Sequence, residues 1–448
     1  MTLTTVSTFI TEDEALSLIE SAIEQSEAEG VFISLNASES ALSRFSENQI
    51  SQNISKNRFN MSVTSYFGHR SATASTSELE AEAIAQTIRR SEDLARFAPE
   101  DPEWVPLLEP QSYDRTDPAF DPQTANLSPL KRGEIVQQVC SRARNRGVDG
   151  SGTLSTSTTA QAIGNSLGLR AFSRTTEADF SFTARVDSGS SWTHRTAWSV
   201  AQLPVEDMAE QAIARSLASR NPREVKPGIY PVVFEAAAFA ELLSWVMWNL
   251  DARAADEGRS FMSRLNRAGQ PDGNRVGEPL FSPLVQVQRD RTHSLLQSSP
   301  FFEDGLSNSY LDVIKDGIPQ TLSYSRYWAQ QQGQEPTGMM SPIVMTGSQD
   351  ALADLIAQTE RGILVSRAWY VRYVNPRTLE VTGMTRDGTF WIEGGQIAYP
   401  IKNLRFNQRL PEMLENVEAV SSVQRFGRSV VPGVKVGAFN FSSVTDSI

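Results

Sequence analysis

Three tight-turn dipeptides constrain the second half of this chain: Asp316-Gly317, Asp387-Gly388 and Gly394-Gly395. Each separates extended, apolar-rich runs, and Asp-Gly or Gly-Gly in that setting is a hairpin signal. The runs are Leu284–Arg289, Tyr310–Lys315, Gly362–Tyr373, Leu379–Arg386, Thr389–Ile392 and Gln396–Tyr399. Their close spacing predicts a β-rich unit, a barrel or a strongly curved sheet. Pro411 to Ser421 predicts a late helix, and Val430 to Ser443 a last strand.

The first half reads differently. Thr11 and Glu14 form a capping-box pattern ahead of a helix with Leu16, Ile19 and Ile23 on one face, which Gly30 ends. Strand-like or extended runs follow at Val31–Leu35, Ala41–Tyr66 and His69–Thr76. Ser77 with Glu80 repeats the capping pattern before a helix through about Ala95, with Leu79, Ile84, Ile88 and Leu94 on one side. A Pro- and acid-rich connector, residues 99–122 and including Pro118, carries Trp104, Leu107, Leu108 and Tyr113 as anchors. A second unit then predicts a helix over Pro129–Arg146, strands at Gly150–Ser157, Gly168–Thr175, Asp179–Val186 and Ser190–Trp198, and a helix over Val205–Ser219. Residues 81–91 and 209–217 are alike, so we read an internal duplication of helix, strands, helix. At 448 residues the chain exceeds one ordinary core. The turn-rich Asn221–Gly228 stretch divides it into an N-terminal α+β domain, 1–222, and a C-terminal β-rich domain, 223–448.

Bulk properties exclude several functions. A net charge of −12 argues against a nucleic-acid surface, which needs a basic face. The longest apolar candidate, Val232 to Leu250, is interrupted by Glu235, Glu241 and Asn249, short of the ~20 apolar residues that span a bilayer. The first ten residues have no basic region and a broken apolar run, so no signal peptide is expected. Cys140 is the only cysteine, which excludes an intrachain disulfide and fits a reducing cytoplasm. No G-x-G-x-x-G, G-x-x-x-x-G-K-[ST] or G-x-S-x-G occurs. The three histidines, His69, His194 and His293, are far apart in sequence, which limits zinc sites and Ser-His or Cys-His pairs.

The chemistry-bearing candidate is the stretch Gly228–Leu250. An apolar strand, Tyr230–Glu235, runs into an amphipathic helix, Ala236–Ala254, whose stripe is Phe239, Leu242, Leu243, Val246, Met247 and Leu250. Histidines at 234 and 239 would make this an H-E-x-x-x-H metal site with Glu235 as general base. The residues there are Phe234 and Phe239. We read the two rings as core or groove-wall aromatics, and Glu235 as a helix N-terminal carboxylate favoured by the dipole, with a relic of a catalytic position or a contact to peptide or partner as the alternatives. Trp245 and Trp248 on that helix suit core packing or a dimer interface. Glu303 and Asp304 shape a turn and, with His293, are the one alternative ligand set.

Several pieces in order resemble the TldD/PmbA family. Pro231-Val232-Val233-Phe234-Glu235 leads to a helix and then to Arg253-Ala254-Ala255-Asp256-Glu257-Gly258. Phe301-Phe302-Glu303-Asp304-Gly305 precedes Ile314-Lys315-Asp316-Gly317, and Gly362-Ile363-Leu364-Val365 precedes Thr382-Gly383. The string Trp391-Ile392-Glu393-Gly394-Gly395-Gln396-Ile397-Ala398-Tyr399-Pro400 closes the set, and Gly164-Asn165-Ser166 with Gly168 fits the first half. The resemblance implies a two-domain α+β protein working in a dimer that cuts unfolded peptides. Its TldD branch carries H-E-x-x-x-H and a later cysteine, while its PmbA/TldE branch lacks these ligands and pairs with TldD. Here the family's ligand and base positions fall on Phe234, Glu235 and Phe239, and no cysteine lies in the C-terminal half. The expectation is a non-catalytic subunit without cofactor of its own, with zinc only in a TldD-like partner. Its job would be to stabilise that partner and wall the substrate chamber, where a β-rich domain suits capture of an extended peptide by strand addition. The alternatives are a homodimeric peptide-binding or scaffold protein and a stand-alone metallopeptidase with non-standard ligands.

Overall fold

The structure is a computed structural model that describes residues 9–113, 119–296 and 298–445. Residues 1–8, read above for a leader, and Pro118 of the connector lie outside the described residues.

The first unit is a six-stranded antiparallel sheet carrying four long helices on one face. Helix α1 (Glu12–Glu24) is followed by β1 (Gly30–Ser46), β2 (Gln49–Phe67), β3 (Arg70–Thr76) and α2 (Ala81–Phe97). After the connector and the short α3 (Pro122–Ala125), the order repeats as α4 (Pro129–Asn145), β4 (Asp149–Asn165), β5 (Arg170–Val186), β6 (Gly189–Ala197) and α5 (Val205–Ala218). The strand order β3-β2-β1-β4-β5-β6 places the two repeats side by side, joined where β1 and β4 pair antiparallel. This is the internal duplication seen as topology.

Alternation decides which face is covered. Ile33, Leu35, Ala160 and Ala162 pack with α1 and α2 residues Ala15, Ile19, Ile84 and Ile88. Leu154, Phe180 and Phe182 pack with α4 and α5 residues Val139, Cys140, Met208 and Ile213. The opposite face turns to the second unit, where Ile163 and Leu169 meet Phe301. The connector is tied down as its apolar residues require. Trp104 stacks on His69 at 4.4 Å between centroids, and the Tyr113 hydroxyl donates to the Gly305 carbonyl at 2.6 Å.

The second unit begins at β7 (Gly228–Phe234), followed by α6 (Ala236–Trp248), α7 (Ala252–Asp256) and a hairpin of β8 (Ser263–Leu265) and β9 (Pro271–Asn274). Then come β10 (Val287–Arg289), β11 (Leu311–Lys315), β12 (Ile318–Pro319), α8 (Arg326–Gln332), β13 (Ile343–Met345) and α9 (Leu352–Ala357). It ends with β14 (Arg361–Val365), β15 (Ala368–Asn375), β16 (Glu380–Thr385), β17 (Thr389–Glu393), β18 (Gln396–Pro400), β19 (Leu404–Arg409), α10 (Leu410–Glu415), β20 (Val417–Phe426) and β21 (Ser429–Val444). All but the β8–β9 hairpin form one sheet of order β12-β11-β10-β13-β21-β7-β14-β17-β18, with β15, β16, β19 and β20 branching from β21. The path is open at β12 and β18, so the expected barrel option gives way to a branched, curved sheet.

Other expectations are corrected by long-range pairing. The stretches 168–175 and 179–186 are a single strand, because Thr175 and Thr176 stay in register with Thr159 and Thr158 of β4. Gly362–Tyr373 is two strands, split at Ser366 and Arg367. The predicted helix over Ala236–Ala254 stops at Trp248, and Asp251 caps a new one by accepting the Ala254 N–H at 2.7 Å. The late helix ends at Glu415, and from Val417 the chain pairs with β21. The Thr11–Glu14 capping box forms. The Ser77–Glu80 pattern does not: Thr76 accepts the Glu78 N–H and α2 starts later, with Leu79 and Leu94 exposed.

Gly152 of β4 is a position only glycine fits. A Cβ there would lie 2.1 Å from the Ser181 carbonyl oxygen and 2.8 Å from the Phe45 ring. Overpacking of this kind costs about 1–3 kcal/mol. Gly152→Ala should lower the denaturant midpoint accordingly with an unchanged slope, and an unshifted midpoint would contradict the packing described.

Candidate functional site

Strand β7 carries the candidate site to its place. It pairs antiparallel with β21 on one edge and parallel with β14 on the other, with Val365 opposite Phe234. Two parallel neighbours end together, so the next residues, Glu235 and Ser366, sit side by side at the carboxyl end of the sheet. The Glu235 N–H prolongs the ladder by donating to the Val365 carbonyl at 3.0 Å.

Phe234 and Phe239 face the core. Both are fully buried, and the Phe234 ring meets Phe439 edge-on at 5.0 Å. Neither offers a donor atom to a metal. Glu235 is the N-cap residue of α6, yet its side chain makes no capping hydrogen bond. Its carboxylate instead accepts from Arg215 at 2.6 Å and from the Ser366 hydroxyl at 2.7 Å. Arg215 belongs to α5, so this ion pair ties the first unit to the second. The Glu235 charge raises the Arg215 pKa above the ordinary guanidinium value, against the opposing effect of burial. The pair, rather than the helix dipole alone, is where the Glu235 charge is satisfied.

A cleft of about 240 Å³ opens beside this pair. Ser191, Arg195 and Arg215 line it from the first unit, and Glu235, Ser366 and Gln424 from the second. His194 also borders it, held by Asp179 at 2.5 Å, while the Thr196 hydroxyl donates to the same carboxylate oxygen at 3.0 Å. Arg215, Ser366 and Arg195 carried no local signal in the sequence; they meet Glu235 only through pairing between distant strands and helix packing.

The remaining candidates lie elsewhere. His69 stacks on Trp104, and His293 accepts the Leu295 N–H at 3.2 Å. Asp304 accepts the Leu306 N–H at 3.0 Å, and Glu303 lines a separate cavity between the units. Among the described residues no three of His, Cys, Asp and Glu stand close enough to hold a metal ion, so His293, Glu303 and Asp304 are not assembled into one. Cys140 is buried under α5. Trp245 meets Tyr373 edge-on at 4.7 Å, while Trp248 is 74% exposed. No helix among the described residues is long and apolar enough to cross a membrane.

The Glu235 and Arg215 side chains are 18% and 33% exposed, so solvent screens part of their attraction. Removing either member of a partly buried pair strands the other, which we set at about 1–3 kcal/mol, below the fully buried case. Glu235→Ala and Arg215→Met should each destabilise by that much. Because the two share one interaction, the double variant should cost clearly less than the sum. Urea unfolding of the four proteins tests this, and strict additivity would contradict the pairing.

Comparison with known proteins places these features in a lineage. Residues 227–443 match the model of the PmbA/TldA metallopeptidase C-terminal domain, and residues 121–220 that of the PmbA/TldA metallopeptidase central domain. The chain is similar to metalloprotease PmbA of Escherichia coli O157:H7, 24% identical over 434 residues that cover 92% of this chain and 91% of that protein. It is also similar to a metalloprotease PmbA homolog of Haemophilus influenzae, 22% identical over 384 residues, covering 81% of this chain and 80% of the relative. In fold it is similar to TldE from Thermococcus kodakarensis, with a TM-score of 0.84 at 19% identity, over 95% of this chain and 99% of that one. With the two family domains spanning the β7–α6 site and the second repeat of the duplicated sheet, the chain belongs to the PmbA/TldD family.

Proposed function

We propose that this chain is a PmbA/TldE-type, non-catalytic subunit of a TldD-type metallopeptidase that cuts unfolded peptides. The observation that carries the reading is the chemistry of the β7–α6 junction. The two positions that would need imidazoles hold buried phenyl rings, and the one carboxylate is paired with a guanidinium at 2.6 Å. A dication there would meet a single carboxylate and an adjacent positive charge, whereas a catalytic zinc takes three protein ligands and an open position. We therefore assign no catalytic residue, metal or cofactor to this chain and place zinc in a TldD-like partner. On this reading the chain stabilises the active subunit and walls part of the substrate chamber in the cytoplasm. The exposed Trp248, next to Trp245 and Tyr373 on the outer side of α6, gives an aromatic surface suited to a protein partner.

The deciding experiment is co-expression with a TldD-like chain, followed by size measurement and assay on an unfolded peptide. The expected outcome is a mixed dimer that cleaves only with zinc, and a lone chain that neither cleaves nor retains stoichiometric zinc after dialysis. Zinc-dependent cleavage by the lone chain would sink the proposal. A stable homodimer that ignores the TldD-like chain would instead favour a self-associating peptide-binding or scaffold protein.

A further inference from the structure

The cleft beside Glu235 holds two guanidinium groups and one carboxylate. Arg215 takes that carboxylate. Arg195 does not: among the described residues its one hydrogen bond is from a terminal nitrogen to the neutral side-chain oxygen of Gln424, at 2.7 Å. Its Nε is buried and has no hydrogen-bond partner among the described residues. The neighbouring charges are spoken for, since Asp179 holds His194 and Glu177 holds Arg425 at 2.7 Å. A partly desolvated cation, its Nε fully buried, that faces a neutral amide is unusual, because charges taken out of water are ordinarily paired. Burial lowers the Arg195 pKa, with no carboxylate acting in opposition.

The fold explains how this cation is held. Arg195, Thr193 and Ser191 pair with Phe180, Phe182 and Ala184 of β5, so they occupy the face of β6 that turns to α5. Strand β6 is the edge of its sheet among the described residues, paired there with β5. Met208, Gln211 and Ala212 of α5 wall the cleft above it. Ser191 adds a second sign of incomplete satisfaction: it is 1% exposed and its hydroxyl has no hydrogen-bond partner among the described residues.

We propose that this cleft is a carboxylate-binding site, in which Arg195 is the counter-charge for a carboxylate of an extended peptide. A guanidinium presents a planar fork of donors that matches a carboxylate better than any neutral group. The cleft is too small for a folded partner and large enough for the end or one side chain of a peptide. The choice of a peptide as bearer rests on the function proposed above; the unmet charge of Arg195 does not.

Calorimetric titration of the full chain, without any partner, tests the site. The probes are an N-acetylated hexapeptide with uncharged side chains and a free C-terminus, its C-terminal amide, the amide with one central glutamate, and inorganic phosphate. The free acid, the glutamate peptide or both should bind at least tenfold more tightly than the plain amide, and which of them does so assigns the carboxylate to the terminus or to a side chain. Arg195→Gln should remove that preference. Gln424→Glu supplies an internal carboxylate at the same place and should abolish binding while keeping or raising stability, so the test survives if Arg195→Gln folds poorly. Equal binding of acids and amide, binding unchanged by Gln424→Glu, or phosphate binding as tight as the peptide acids would overturn the proposal. Because the titration needs no TldD-like chain, its failure is distinct from a failed co-purification: cleavage by a mixed dimer with no carboxylate preference here would sink only the site.

Discussion

Strand β7 has both edges occupied, and this double pairing fixes what the rest of the site can be. With β21 on one side and β14 on the other, its register cannot slip by a residue without turning Phe234 and Val232 out of the core. Val233 points the opposite way, into a smaller cluster with Leu355, Leu364 and Phe390. Both faces are thus apolar, and the first residue free to carry charge is the one just past the strand end. That residue is Glu235. Its neighbour Ser366 arrives by the same logic from β14, and the helix that follows lays Phe239, Leu242, Leu243 and Val246 back over the sheet.

The contacts that join the two units are of another kind. Beside the apolar contact of Ile163 and Leu169 with Phe301, they include polar pairs: Arg215 with Glu235, Arg425 with Glu177, and the Ser190 hydroxyl with an Asp387 carboxylate that also takes Arg367. Asp387 and the Arg425 side chain are almost fully buried, so breaking any one of these pairs would strand a charge. Such pairs are poor sources of net stability, because desolvation offsets most of the attraction. They are good at fixing one relative placement, since a small shift leaves several charges unmet at once. The cleft beside Glu235 therefore inherits its shape from an interface that tolerates little displacement.

This division explains what could be read in the sequence. Most elements with strong local signals are found where the pattern puts them: the capped α1, the Pro-initiated α4, the strand into α6, and the hairpins at Asp316-Gly317 and Gly394-Gly395. Asp387-Gly388 is an exception: it turns the chain between β16 and β17, which pair with other strands and not with each other. The duplication was legible because each repeat carries its own helix–strand–helix pattern. Errors fall where pairing overrides composition. The polar run Thr175-Thr176-Glu177 looked like a break between strands but stays extended because β4 supplies a partner at every position. At the site, the local feature Phe-Glu-x-x-x-Phe was visible, while Arg215, Ser366 and Arg195 were not. Each reaches Glu235 or its cleft from a separate part of the chain, and nothing in their own neighbourhoods distinguishes them from surface residues.

The charge balance of the cleft bears on what chemistry it can host. A metallopeptidase site is built to receive a cation, so its lining must be rich in lone pairs. Here the lining has two guanidiniums against the single Glu235 carboxylate, and phenyl rings occupy the positions from which imidazoles would point. Low dielectric magnifies that imbalance, because a buried charge interacts more strongly than the same charge in water. A site of this sign disfavours a dication and favours a group carrying negative charge. On the proposed reading, the scaffold keeps the position beside an extended peptide while reversing the charge it is prepared to accept there. Loss of catalysis and gain of a binding contact then follow from the same few residues.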